Sequence, residues 1–169
     1  MPVPYGRAGW LTGAAPAGRL TPLPSAPLLA SLTAMISYEW RGPVENAELN
    51  VLHAEGFGHR VLAGDWAAQL AGHSLGWVTA RDGLDLVGFV NVPWDGGVHA
   101  FILDTVVAQA ARHRGIGIRL VAVATEHARA AGCEWLHVDF DDELIPFYFD
   151  GCGFRPTNAG LIALGPGGR

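Results

Sequence analysis

The chain is short of charge, of sulfur and of long apolar runs, and each shortage excludes something. Only 16% of its 169 residues are charged, and the formal net charge is −5. A nucleic-acid binder needs a basic footprint to neutralise phosphate backbones, so this acidic balance argues against one. Two cysteines, Cys133 and Cys152, are too few for a disulfide framework and carry no zinc-ligand spacing; they read as reduced, intracellular and structural. The histidines, at 53, 59, 73, 99, 113, 127 and 137, lack paired short spacings, so no metal is expected. No uninterrupted apolar stretch approaches the roughly 18 to 20 residues that a membrane-spanning helix needs. Where a secretory leader would be sought, Pro16, Arg19, Pro22 and Pro24 interrupt any apolar core. The expectation is a cytoplasmic protein without membrane contact.

Hydrophobic residues, by contrast, make up 50% of the chain, which favours a folded domain over disorder. The length suits one domain with a proper core. Residues 1–34 are rich in Pro, Ala, Gly and Leu without a lasting period and read as an extension. The patterned domain, 35–169, opens at Met35, which could also be a translation start.

Within it, Ile36 to Arg41 alternates as a strand and stops at Gly42-Pro43. Val44, Ala47, Val51 and Leu52 then share a helical stripe, with Leu49 off it and Glu45, Asn50 and His53 on other faces; this helix should end near Gly56. A shorter helix is predicted from an Asp65 N-cap through Trp66 and Leu70 to Gly72. Ser74 to Arg81, Leu84 to Val92 and His99 to Val107 read as three strands of an antiparallel meander.

After the third strand comes Arg112-His113-Arg114-Gly115-Ile116-Gly117, opening into a long helix that Gly132 should end. The first N–H groups of a helix lack internal partners and sit at the positive end of its dipole. Two glycines would let an anion approach them, and two arginines would add charge-assisted donors. An ordinary tight turn with solvated arginines fits the same six residues. Cys133 to Phe140 is a strand reached through a helix, so it should lie parallel to His99 to Val107 by a right-handed crossover. A short helix from about Glu143 to Asp150 and a closing hairpin over Arg155 to Leu164, turning at Thr157-Asn158, complete the reading, with a frayed tail from Gly165.

This order of elements and the Val107-x4-Arg112-His113-Arg114-Gly115-Ile116-Gly117 run, together with Phe147-Tyr148…Gly153-Phe154, resembles the GNAT superfamily of acetyl-CoA-dependent N-acyltransferases over residues of about 36–164. The resemblance implies a mixed α/β single domain: a central, mostly antiparallel sheet, flanking helices, and a parallel strand pair splayed around an acyl-CoA site. It implies that acetyl-CoA is a co-substrate, its pyrophosphate on the turn (Arg112, His113, Arg114, Gly115, Ile116, Gly117, Ile118) and its pantetheine arm along Thr105, Val106 and Val107. It implies acetyl transfer to the primary amine of a small molecule or peptide, by direct attack in a ternary complex. Dimerisation is common among similar proteins, and the apolar extension offers surface for a homodimer.

Two departures matter for the chemistry. The family's thiolate-supporting tyrosine sits four residues before the Gly of the closing Gly-Phe pair; here that position is Phe149 and Tyr148 is adjacent. An extra residue or a wider helical turn could bring the Tyr148 hydroxyl into place as the acid; otherwise its ring is core. Gln109 replaces a common proline and bears on the stiffness of the loop. Asp142 stands where asparagine often contacts the cofactor, or it caps a helix. Asp104, on the strand before the turn, is the candidate base, with backbone or arginine pairing as the ordinary alternative. Glu45 and Glu48 read as solvated, and His137 as a core histidine that could approach the cleft. Trp40, Trp77 and Trp94 could wall an acceptor pocket, although packing is their default. Neither cysteine has a histidine partner that would make it a nucleophile. A non-catalytic acyl-CoA-binding module with the same fold is the alternative function, kept alive by Phe149. A nucleotide-binding domain of another kind is disfavoured, because no Gly-Lys-Ser/Thr loop occurs.

Overall fold

The computed structural model describes residues 35–165. The N-terminal extension, the alternative start at Met35 as it bears on that extension, and the tail beyond Gly165 lie outside the described residues. A four-stranded antiparallel sheet runs in the order β1 (Ser37–Trp40), β2 (Ser74–Asp82), β3 (Asp85–Pro93), β5 (Leu103–Val107). A separate parallel pair joins β4 (His99–Phe101) to β6 (Trp135–His137). Helices α1 (Asn46–Phe57) and α2 (Trp66–His73) precede the meander, and α3 (Ile116–Ala130) makes the crossover between β4/β5 and β6.

The expected third strand is therefore two. At Ile102 the chain leaves the β6 side, with the Ile102 N–H donating to His137 O at 2.8 Å, and β5 continues against β3 alone. Within β5 the register against β3 then shifts by one residue between Phe89↔Val106 and Asn91↔Leu103. Asp104 takes a left-handed φ of 54° there. A bulge bends its strand, and Asp tolerates this conformation better than most side chains, at about 1–2 kcal/mol.

Two apolar clusters sandwich the sheet. On one face Leu49, Leu52, Trp66, Leu70, Phe89 and Val106 join α1 and α2 to the strands. On the other, Val78, Val90, Ile102, Ile116, Leu120 and Ala124 pack α3, and Tyr148 closes the layer. Alternation along β5 thus sends Asp104 and Val106 toward α1, and Thr105 and Val107 toward α3.

Several expectations change. The buried side of α1 is Leu49, Asn50, Leu52 and Ala54, whereas Val51 is 54% exposed and Ala47 faces solvent. A buried polar residue, Asn50, replaces the expected apolar anchor. Its side chain accepts from Trp66 Nε1 (3.0 Å) and Gly64 N (3.1 Å) and donates to Gly64 O (3.0 Å), tying the α1–α2 loop down. Asn50→Ala would orphan all three groups. We expect a loss of about 2–3 kcal/mol, measured by urea unfolding.

Asp65 caps α2 as expected, accepting from Ala68 N at 3.1 Å. The sixth strand has three residues rather than eight. No strand forms over Arg155 to Leu164; these residues are exposed and unpaired, so the closing hairpin is absent from the described residues. One polar–apolar alternation is not enough to hold a hairpin that finds no third strand to lie on.

Candidate active site

The turn before α3 is shaped by backbone that few side chains accept. Gly115 is the N-cap at φ 77° and His113 stands at φ 61°. Arg119 N is the first helical amide with a partner, Gly115 O at 3.1 Å, so the N–H groups of Ile116, Gly117 and Ile118 head the helix without internal acceptors. Arg112 Nε donates to Val107 O at 3.1 Å and staples the turn to the end of β5. Arg114 reaches Asp82 at 3.4 Å. Space beside Gly115 is open, but a side chain at Gly117 would sit 3.0 Å from the Phe147 ring. Gly117 is thus required by packing as well as by access. Gln109 donates its N–H to Glu55 Oε1 at 2.7 Å, so this position is held by a carboxylate instead of by a proline ring.

Beside the turn, β5 is the last strand of its sheet. Its inner edge bonds to β3, and no strand lies on its outer edge among the described residues. An extended chain could add there by backbone pairing. Facing α3 from this strand, Thr105 Oγ1 is buried without a hydrogen-bond partner.

The segment Pro146–Gly151 is a π-helix, closed by Cys152 N donating to Phe147 O at 2.9 Å. A π turn accommodates one residue more than an α turn. Tyr148, five residues before Gly153 instead of four, is thereby buried at 5% exposure beside Thr105, while Phe149 turns to meet Phe140 edge-on at 5.3 Å. The Tyr148 ring stacks on Phe140 at 4.5 Å. Burial pushes its phenol above the ordinary tyrosine value; the nearby Thr105 hydroxyl partly offsets this, and Cys152 and Asp139 add to it.

Across the strand, Asp104 is held by two neighbours. Its Oδ1 is 3.4 Å from His53 Nε2, and its Oδ2 accepts from Asn91 Nδ2 at 3.3 Å. Tyr148 and Asp104 therefore flank β5 from opposite faces.

A family model for the acetyltransferase (GNAT) family matches residues 38–154. This chain belongs to that family. A glucosamine 6-phosphate N-acetyltransferase of Oryza sativa subsp. japonica is 46% identical over 55 residues, which are 32% of this chain and 33% of the relative. The chain thus matches about a third of the length of that curated relative. Among solved GNAT folds, a GNAT-family protein of Streptococcus pneumoniae superposes with TM-score 0.64 at 21% identity, covering 78% of this chain and 99% of that one. The glucosamine-6-phosphate N-acetyltransferase of Arabidopsis thaliana gives 0.59 at 16% identity, covering 75% and 97%. These superpositions establish the fold of the GNAT domain.

The other residues singled out in the sequence have structural employment in this GNAT domain. Glu48 caps α1 by accepting from Glu45 N at 3.0 Å and pairs with Arg81 at 3.1 Å, so it is not simply solvated. Burial opposes its charge, yet Arg81 and the Glu45 N–H hold its carboxyl below the usual range. Glu45 itself is exposed. His137 Nε2 lies 2.8 Å from His99 Nδ1, and its ring stacks on Phe101. Trp40 packs over Gly76 and stacks on His127 at 4.5 Å, and Trp77 donates to Gly42 O at 2.8 Å. Trp94 is 38% exposed at the end of β3. Asp142 opens a short 3-10 turn without capping a helix through its side chain. Burial pushes the Cys152 thiol up to about 11 and raises Cys133 as well, so neither is an activated thiolate. No described helix is long and apolar enough to cross a membrane.

His53 and His59 escaped the sequence reading. They are six residues apart, but Gly58 caps α1 in the left-handed conformation, φ 69°, and returns the chain over the last helical turn. His53 Nδ1 and His59 Nε2 then lie 2.9 Å apart. A histidine on each side of a helix-ending glycine was the available signal.

Proposed function

We propose that this chain transfers an acetyl group from acetyl-CoA to a primary amine, by direct attack within a ternary complex. The observation that carries the reading is the outer edge of β5, unpaired among the described residues, which runs directly into the left-handed Gly115 turn at the head of α3. The residues suit the co-substrate: Thr105 Oγ1 is a buried oxygen in want of a partner, and Gly115 leaves the helix amides open. Thr105, Val106 and Val107 would hold the arm by their backbone. Arg112, His113, Arg114, Gly115, Ile116, Gly117 and Ile118 would hold the pyrophosphate, chiefly through N–H groups.

Acetyl-CoA brings the acetyl group as a thioester and departs as the thiol. Asp104, on the α1 face, would draw the proton from the acceptor ammonium so that its nitrogen can attack. Tyr148, on the α3 face, would give its proton to the departing sulfur. The raised phenol suits an acid that must stay protonated until the C–S bond breaks.

The rice and Arabidopsis relatives make glucosamine 6-phosphate the first acceptor to try, followed by amino acids, polyamines, aminoglycosides and peptide N-termini. The test is release of free CoA thiol. Acceptor-dependent release is expected. Acetyl-CoA binding without acceptor-dependent turnover across the panel would instead make the chain a ligand-binding module.

A further inference from the structure

Thr105 Oγ1 is the buried side-chain polar atom left without a hydrogen-bond partner among the described residues. Other hydroxyls of the domain are satisfied: Thr125 Oγ1 donates to Val121 O at 2.8 Å, and Ser74 Oγ donates to Asn91 Oδ1 at 2.6 Å. Valine suits a β-strand as well as threonine does, as at Val106 and Val107, and would bury no oxygen here. An orphaned hydroxyl costs stability that an apolar group of the same shape does not. The strand therefore carries a donor that the fold itself leaves unused.

Beside that donor stands Tyr148. Thr105 points to the α3 side of β5, where Tyr148 is 5% exposed and α3 meets the layer with the apolar Ile116 and Leu120. The Tyr148 ring stacks on Phe140 at 4.5 Å and is met edge-on by Phe147 at 4.7 Å and Phe154 at 5.8 Å. Three rings fix the phenol, so packing sets where its oxygen lies. Burial opposes the ionised form of that oxygen, as do Asp139, which follows β6, and Cys152, at the end of the π-helix. Among the described residues, Thr105 is the group that favours it.

We propose that Thr105 is the positioning residue for Tyr148, its hydroxyl donating to the Tyr148 oxygen as that oxygen gives its proton to the departing sulfur; this rests on the acetyltransferase reading above. The acceptor nitrogen bonds to the carbonyl carbon, the C–S bond breaks, and its electron pair goes to sulfur. The Tyr148 proton passes to that sulfur and leaves the O–H electron pair on the phenolate oxygen. Thr105 donates a hydrogen bond to this oxygen and keeps its own proton. The phenolate then regains a proton from solvent water, which balances the one that the amine surrendered through Asp104. A hydrogen bond to a phenolate is charge-assisted and stronger than one to a neutral phenol, so it strengthens as the barrier is crossed. An interaction of that kind raises kcat and leaves ground-state binding alone.

The test has two arms, and the first needs no turnover. Ultraviolet titration of tyrosinate, with Tyr148→Phe as the difference that isolates residue 148, should place ionisation of Tyr148 at least about one pH unit higher in Thr105→Val than in the wild type. Thr105→Ser should stay near the wild type. Thr105→Val keeps the shape and removes an orphaned oxygen, so its urea unfolding midpoint should not fall. An unchanged Tyr148 titration in Thr105→Val would overturn the proposal. In the second arm, with an acceptor that supports turnover, Thr105→Val should lower kcat about tenfold with calorimetric acetyl-CoA affinity unchanged, and Thr105→Ser should keep most of the activity. Added to Tyr148→Phe, Thr105→Val should cost nothing more, because its effect runs through the phenol. Losses that multiply in the double variant would overturn the proposal. So would lost acetyl-CoA affinity with kcat kept, which would make Thr105 a donor to the pantetheine arm. Acetyl-CoA binding without acceptor-dependent turnover in the wild type would instead sink the acetyltransferase reading, and the titration would be untouched by it.

Discussion

Replacing Arg112 with Ala together with Gly115 with Glu is expected to lower acetyl-CoA affinity at least about a hundredfold, with the fold intact by circular dichroism. Nothing lies within 4 Å of the position a Gly115 side chain would take, so glutamate there meets no clash. Its strain at φ 77° is about 1–2 kcal/mol, and an acidic side chain at a helix start is favourable to the helix itself. The loss therefore falls on the ligand. A carboxylate would stand among the helix amides where a pyrophosphate needs room and positive potential. Removing Arg112 takes away the guanidinium and its staple to Val107 O. Gly115→Ala is the control, carrying the strain without the charge, and it should cost affinity far less. Undiminished binding of the double variant in calorimetry would refute the loop assignment.

Tyr148→Phe should lower kcat by about a hundredfold or more while acetyl-CoA affinity changes little, because the ring's packing against Phe140 and Phe154 is kept and only the proton is lost. Stopped-flow thiol release set beside calorimetric binding separates the two. Equal turnover would move the acid to water. The pH dependence has a definite sign. Burial raises the phenol above 10.0, so the wild-type alkaline limb should lie above the ordinary tyrosine range. The folded protein also holds this proton more tightly than the unfolded chain, so stability should be complete below pH 10.0 and fall as pH climbs through the raised value. A Phe149→Tyr change, in contrast, should not rescue Tyr148→Phe. Residue 149 turns toward Phe140 in the π-helix and does not take the place of residue 148 beside Thr105.

Much of the fold was legible because its signals are local. Asp65 before an apolar helix, Asp82-Gly83 between strands and Gly115 before α3 each act through a few neighbouring dihedrals, and the structure places an element boundary at each. The facing of α1 was not legible, since its apolar stripe is weak and Asn50 wins burial by hydrogen bonds that need Gly64 and Trp66 brought back from the next element. The expected closing hairpin does not form for the opposite reason: alternation is local, but a hairpin is stable only on a surface that receives it.

For the site, residue order alone determined the Arg112 to Gly117 turn, the strand before it and the family to which the chain belongs. Glycine geometry and helix-end amides are properties of contiguous backbone, so sequence could carry them. Only the tertiary structure decided which chemistry meets at β5. The chain changes sheets at Ile102, and alternation along β5 sends Asp104 and Thr105 to opposite faces. A π turn supplies the place of one extra residue and sets Tyr148, not Phe149, beside Thr105. A left-handed glycine folds His59 back onto His53. Each is a local change of backbone whose consequence appears only where distant segments touch, and spacing along the chain does not record that.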